Sequence, residues 1–317
     1  MIKKVKIIKL NERNLTNHLD EYKIVDIVFR ILSKDAIGKS SSNPSWGYVF
    51  NVRNGKLKLN IEPYGLYKEF DYDQPNAAYA EKIFSIIGQK ILTDTRVPKT
   101  EVVSDCFPKN PATISYKLMD NDKEDMFHIS DLMFYKYERE EIEKKKDVFT
   151  IEDILECIKV QVRNEENYNK IEKSIIHTIL LDSVLNNADR HNNNWALVRN
   201  KETNQYDLAI FDHSVSLIDI LEENKRATYN GWTRTYISTR PNCDSSFGKE
   251  LIEYIHKNYN EYFEEFVNRF NEKIPVIISK IKEEQLPIDI RRLENKLNAR
   301  NIFLQRERSR EDLEYGE

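Results

Sequence analysis

The stretch with the residue types and spacing for chemistry runs from Asn186 to Ser214, NNADRHNNNWALVRNKETNQYDLAIFDHS. Within it, Trp195 to Arg199 and Tyr206 to Phe211 alternate in the manner of two strands around a polar turn, the pattern of an antiparallel hairpin. A symmetric hairpin centred near Thr203 sets Asn194 opposite Asp212, since both lie nine residues from that centre. Cα atoms so paired sit about 5 Å apart. An Asn oxygen and a carboxylate at a strand mouth form a hard-oxygen site suited to magnesium, which takes few protein ligands and completes its shell with phosphate oxygens and water. No lysine or arginine is evident in the sequence as a partner that would neutralise Asp212. Asp189, on the loop entering the hairpin, is then free to orient an attacking hydroxyl. A carboxylate near a nucleophile and metal ligands holding phosphates are the parts that phosphoryl transfer needs.

The neighbours Arg190 and His191 read more simply as hydrogen-bonded scaffold, because polar clusters of this kind cap a helix and turn the chain. His128 and His177 read as structural. The run Glu140, Glu141, Glu143 and Lys144 to Lys146 reads as a solvated face.

These residues need elements to hold them. Up to about Ser115 the signals are mostly strand and turn: Val5 to Leu10, Trp46 to Val52, an Asn54-Gly55 turn, Leu57 to Ile61, Val102 to Val103 and Thr113 to Tyr116. One helix interrupts them, with Asn76 as its cap and Ala77, Ala80, Ile83, Phe84 and Ile87 at helical spacing before Gly88. From Asp147 the period changes, and Ile151 to Val162, Ile171 to Leu185, Leu251 to Tyr259, Tyr262 to Phe270 and Val276 to Ile281 read as amphipathic helices. The charged tail from Arg306 to Glu317 reads as a frayed helix end. The expected fold is α+β and two-lobed, with a small β-rich first lobe carrying one helix (1–115) and a larger helical second lobe (116–317).

Composition narrows the classes. Among 317 residues, 49 Lys and Arg face 53 Asp and Glu, a net charge of −4 that supplies no global field for a polyanion. Direct nucleic-acid binding is therefore not expected. The three cysteines have no CxxC spacing, which suits a reducing cytosol better than a disulfide framework. Lys6 and Lys9 interrupt the apolar run that a signal peptide requires, and no stretch approaches the 18 apolar residues of a membrane span, so no membrane partner is expected.

Asp189-Arg190-His191, Asn194 and the post-strand Asp212 resemble the catalytic and metal-binding segments of HipA-like serine/threonine kinases, with kinship to the phosphoinositide 3/4-kinase pattern. The resemblance covers most of residues 38 to 220. AYAEKIFSIIGQKI is similar to that family's first-lobe helix, which implies that Glu81 partners the nucleotide lysine. Two lysines compete for that place: Lys58 sits in a cleaner strand, but Lys68, thirteen residues before Glu81, has the family spacing and is the one expected to contact phosphate. ISYKLMDNDKEDMFHISDL resembles the following strand and hinge, so the backbone from Tyr116 to Asp120, Lys117 and Met119 included, would meet the adenine. GKSSSNPSWG, from Gly38 to Gly47, is neither GxGxxG nor a Walker sequence, but it resembles the family's Ser-rich loop, in which Ser40, Ser41 and Ser42 would hold phosphate oxygens. A polar linker would have the same composition.

The family implies a two-lobed kinase-like fold, ATP and Mg2+ as the only cofactors, a Ser or Thr hydroxyl of a protein as acceptor, and a small antitoxin-like protein as a partner. Phosphorylation of the chain's own Ser40-Ser41-Ser42 loop, with loss of ATP binding, follows if that loop closes over the γ-phosphate. Asn224 to Arg240 lies where a substrate-docking segment would fall, and a solvated loop fits it equally. Rival readings are a lipid or small-molecule kinase and a catalytically silent module that acts by binding a partner.

Overall fold

A computed structural model of the chain describes residues 2–8, 27–33, 44–53, 56–70, 76–105, 111–136, 150–187, 190, 193–221 and 249–314. The first lobe is built on a closed barrel of six strands, β1 (Lys3–Ile8), β2 (Ile27–Ser33), β3 (Ser45–Arg53), β4 (Lys56–Lys68), β6 (Thr100–Asp105) and β7 (Ala112–Tyr116), in the order β1-β2-β3-β4-β7-β6. Alternation sends Val5, Phe29, Val49, Tyr67, Val103 and Ile114 inward, where they form a separate small core. β1 runs parallel to both β2 and β6, and the other pairs are antiparallel. Inside the barrel, Gly65 on β4 has no room for a side chain, since a Cβ there would lie 2.9 Å from Ile114 Cγ2. The opposite face of β4 ends in Lys68.

Helix α1 (Ala77–Ile91) follows β4 and is buried over nearly its whole length. Its Asn76 does not cap it as the sequence suggests. The Asn76 backbone is already helical, and its Nδ2 reaches across to donate to the Leu221 carbonyl at 3.3 Å. Lys82, also buried, pairs with Glu101 on β6 at 3.5 Å and with Glu284 at 3.0 Å. Those ion pairs fix the rotation of α1 about its axis and so the direction in which the adjacent Glu81 points.

A second sheet of four strands joins the lobes, in the order β5-β10-β9-β8, from β5 (Thr95–Arg96), β8 (Glu124–His128), β9 (Trp195–Asn200) and β10 (Tyr206–Ile210). Around it lie α2 (Ile129–Lys136), α3 (Ile151–Gln161), α4 (Glu165–Leu185), α5 (Ile218–Leu221), α6 (Lys249–Asn258), α7 (Asn260–Glu283) and α8 (Ile290–Glu314). Thr150 closes a capping box with Asp153 at the start of α3. Two expectations fail here. The sequence reads Tyr262 to Phe270 and Val276 to Ile281 as two helices, yet α7 runs through both and through Pro275 between them. An interior proline costs roughly 3 kcal/mol, and the buried stripe of Phe263, Phe266, Phe270, Ile274, Ile277 and Ile281 on both sides of it outweighs that cost. The charged tail is docked rather than frayed as far as Arg308, which pairs with Glu264 at 2.9 Å while Glu307 is buried. No described helix is long and apolar enough to cross a membrane.

His177 lies in the core of α4, with Nε2 2.9 Å from the Tyr262 carbonyl. Burial pushes its pKa down to about 4, so the folded protein keeps it neutral where the unfolded chain takes up a proton. The unfolded state then binds more protons below pH 6.5, and stability falls as pH drops from 6.5 towards about 4. The expected slope is about 1.4 kcal/mol per pH unit from this group. Urea midpoints at pH 7 and pH 5 check it: His177→Gln, which keeps a donor for the Tyr262 carbonyl, should flatten the dependence by about one proton, and an unchanged slope would refute the assignment.

Candidate active site

β4, α1 and the end of β10 converge on one ammonium. Lys68 Nζ lies 3.2 Å from Glu81 Oε1 and 2.6 Å from Asp212 Oδ1. The sequence separations are 13 and 144 positions, so only the packing of both lobes can produce this meeting. Glu81 is 5% exposed, and its second oxygen faces the hydroxyls of Thr113 and Ser115 on β7, at 3.4 and 3.5 Å. Burial raises the Glu81 carboxyl against the pull of Lys68. For Lys68, burial works against the charge, but Glu81 and Asp212 outweigh it and hold the ammonium above its ordinary value. With all three groups ionised, the trio carries a formal net charge of −1. The sequence showed no cation opposite Asp212; Lys68 is that cation.

Asp212 has φ 56°, in the left-handed region, where Asp is one of the few side chains found with any frequency. The strand ends at Ile210 and the chain turns at Asp212, with Ser214 Oγ donating to its Oδ1 at 3.0 Å. The hairpin register is one residue from the symmetric expectation. Trp195 pairs with Ile210, and the Phe211 amide donates to the Asn194 carbonyl at 3.0 Å, so Asn194 lies opposite Phe211 and not Asp212. The cause is the turn: Asn200 accepts the amides of Glu202 and Thr203 on its Oδ1, both at 2.9 Å, and Asn204 takes a positive φ, which closes a loop of even length.

Lys58 is exposed on β4, ten positions before Lys68. The two lysines are therefore separable by experiment. If the site takes ATP, as the family resemblance implies, Lys68→Met should weaken its affinity by roughly tenfold or more, the scale of a lost charged hydrogen bond, and Lys58→Met should leave it within about twofold. Equilibrium titration of both variants checks this, and a loss confined to Lys58→Met would place the nucleotide elsewhere.

The segment after β7 is held from behind. The Lys117 amide donates to the Tyr64 carbonyl at 3.2 Å, and Arg96 donates through Nη1 to the Leu118 carbonyl at 3.0 Å. Arg96 also grips Glu124 with both Nη atoms, at 2.9 and 2.7 Å, and Glu124 accepts the Asp120 amide at 2.8 Å. Lys117 can thus offer its carbonyl and not its amide, while the Met119 amide has no partner among the described residues. Arg96 escaped sequence reading because a single arginine in a two-residue strand has no pattern around it. Arg190 is buried and ion-paired to Asp182 at 2.8 Å, as a scaffold residue should be. Asp189, His191, Ser40, Ser41, Ser42, the charge run at 140–146 and the segment 224–240 lie outside the described residues.

No protein-family model matches the sequence, and no curated protein matches it. Solved structures do. The proinflammatory kinase CtkA of Helicobacter pylori aligns with a TM-score of 0.53 at 15% identity, covering 90% of this chain and 97% of that one. HipA of Shewanella oneidensis MR-1, solved with HipB and its operator DNA, aligns with a TM-score of 0.51 at 12% identity over 88% of this chain and 66% of that chain. The architecture is that of a two-lobed, kinase-like protein. Among such proteins, its fold is the one shared with HipA and CtkA, in keeping with the resemblance carried by Asp189, Asn194 and Asp212.

Proposed function

We propose that the chain is an ATP- and magnesium-dependent phosphotransferase of HipA-like type that acts on a Ser or Thr hydroxyl of a protein. The observation that carries this reading is the double ion pair of Lys68 with Glu81 and Asp212. The donor set fits magnesium: Asp212 and Asn194 offer hard oxygens, and magnesium takes few protein ligands and completes its shell with phosphate oxygens and water. Magnesium, when bound, neutralises charge on the transferring phosphates.

In this reading the Lys117 carbonyl and the Met119 amide, two residues apart on the hinge, meet the adenine edge, and Lys68 holds a phosphate. Asp189 accepts the proton of the attacking hydroxyl as its oxygen bonds to the γ-phosphorus, and ADP departs with the electrons of the broken bond. The chain's work is placement and electrostatics rather than covalent chemistry. The HipA structure is of a complex with HipB and operator DNA, so a small partner protein belongs to the proposal. The low net charge argues against direct DNA binding by this chain alone and leaves open DNA held by such a partner.

Incubation with γ-labelled ATP, first of the protein alone and then with a lysate and with lipid vesicles, tests the reading. Label should enter protein and not lipid, and intact mass should show the chain itself gaining phosphate unless Ser40, Ser41 and Ser42 are all replaced by Ala. Label confined to lipid would support the phosphoinositide-type alternative, and nucleotide binding without any transfer would support a silent module.

A further inference from the structure

Arg190 is 1% exposed, one of the largest fully buried side chains, and Asp182 facing it is equally hidden. A guanidinium carries five N–H donors in one rigid plane. All five are in use. Nε donates to Asp182 Oδ2 at 2.8 Å and Nη2 to Asp182 Oδ1 at 3.1 Å. Nη1 donates to the carbonyls of Asn194 and Phe211, at 2.7 and 3.0 Å, and the remaining Nη2 hydrogen faces His213 Nδ1 at 2.9 Å. Asp182 is fixed in turn by Asn187 Nδ2 at 2.7 Å.

An ion pair alone would need only the two bonds to Asp182. The other three go to three residues of special place: Asn194 itself, and Phe211 and His213, which flank Asp212 on either side. His213 stacks on Phe84 with ring centroids 3.7 Å apart and an interplanar angle of 9°. Phe84 lies one turn along α1 from Glu81, and Asp189 is the covalent neighbour of Arg190. One planar group therefore touches the backbone on the near side of Asp212, the ring on its far side, the Asn194 carbonyl and, through His213, the helix that carries Glu81.

We propose that Arg190 is a positioning residue for phosphoryl transfer, setting the spacing of Asn194 and Asp212 while touching no substrate itself. This rests on the phosphotransferase reading above. The clamp acts through geometry: a misplacement of about 1 Å among reacting groups costs roughly a hundredfold in rate. Lysine could not replace it, because an ammonium offers three donors from a single point and cannot span acceptors on four residues.

Arg190→Lys is the discriminating variant, since it keeps a cation opposite Asp182 and avoids stranding a buried carboxylate. Three quantities are to be measured beside the melting temperature: affinity for a non-hydrolysable ATP analogue in EDTA, the magnesium concentration that half-saturates the rise in that affinity, and kcat. Metal-free affinity should stay within about twofold, because Lys68 and the hinge make no bond to Arg190. The magnesium requirement should rise by about tenfold and kcat fall by about a hundredfold. Should Arg190→Lys fail to fold, His213→Phe keeps the stack on Phe84 and removes one acceptor, and it should raise the magnesium requirement by about threefold and lower kcat by about tenfold. A purely structural role would lower the melting temperature and leave the magnesium requirement and kcat of the folded protein unchanged, which overturns the inference alone. A wild-type protein that takes up no nucleotide with magnesium overturns the phosphotransferase reading and the inference with it.

Discussion

Asp189→Asn is expected to lower phosphoryl transfer by roughly three orders of magnitude, within the range that a positioned general base supplies, while nucleotide affinity with magnesium stays within about twofold. The substitution is nearly isosteric, so it removes the proposed proton acceptor while keeping the side chain's size. It leaves Lys68 with both of its carboxylates, and it leaves the Arg190 bonds to Asn194, Phe211 and His213 in place. Binding and chemistry should therefore separate. Single-turnover transfer from γ-labelled ATP measures the chemical step, and calorimetry with a non-hydrolysable analogue measures binding. Near wild-type turnover would remove Asp189 from the mechanism. A parallel loss of binding would instead mark it as a part of the nucleotide site.

Local patterns made much of this molecule legible. The run Ala77, Ala80, Ile83, Phe84 and Ile87 states a buried helix in its spacing, and α1 is that helix. The alternation in 195–199 and 206–211 likewise gave the hairpin. What failed was non-local or depended on a single turn. β2 was missed because IVFRILS has no clean alternation, and its pairing with β1 is parallel, which no short connection announces. The hairpin register slipped by one because the polar run from Asn200 to Gln205 does not reveal which residue closes the turn; the bonds to Asn200 Oδ1 decide it. A slip of one moves every side chain to the other face, which is why Asn194 and Asp212 are not partners across the ladder. The pairing of Lys68 with Asp212 was invisible for another reason. Its charge complement lies 144 positions away, and only the joining of barrel and second sheet brings the two together.

That pairing changes what should follow from altering Asp212. In the protein without nucleotide, Lys68 is engaged by both Glu81 and Asp212, so a triphosphate must draw the ammonium away from a carboxylate 2.6 Å distant. If Asp212 holds magnesium as proposed, it would then be drawn off Lys68, and nucleotide and metal should favour each other's binding. Asp212→Asn removes this opposition together with the charge of the proposed metal ligand. The trio around Lys68 then goes from a net −1 to neutral, so affinity for ATP in EDTA should be unchanged or rise by up to about tenfold, whereas affinity in magnesium should fall by about ten- to a hundredfold, and transfer with it. Asn is the replacement of choice because it tolerates φ 56°, whereas Ala at a left-handed position adds roughly 1–2 kcal/mol of strain that would confound the reading. Calorimetry of a non-hydrolysable analogue in EDTA and in magnesium gives both numbers. Opposite responses, a gain without metal and a loss with it, would assign Asp212 to the magnesium and identify Lys68 as the group it restrains. Equal losses in the two titrations would mean that the substitution has disturbed the site as a whole and that Asp212 is no metal ligand.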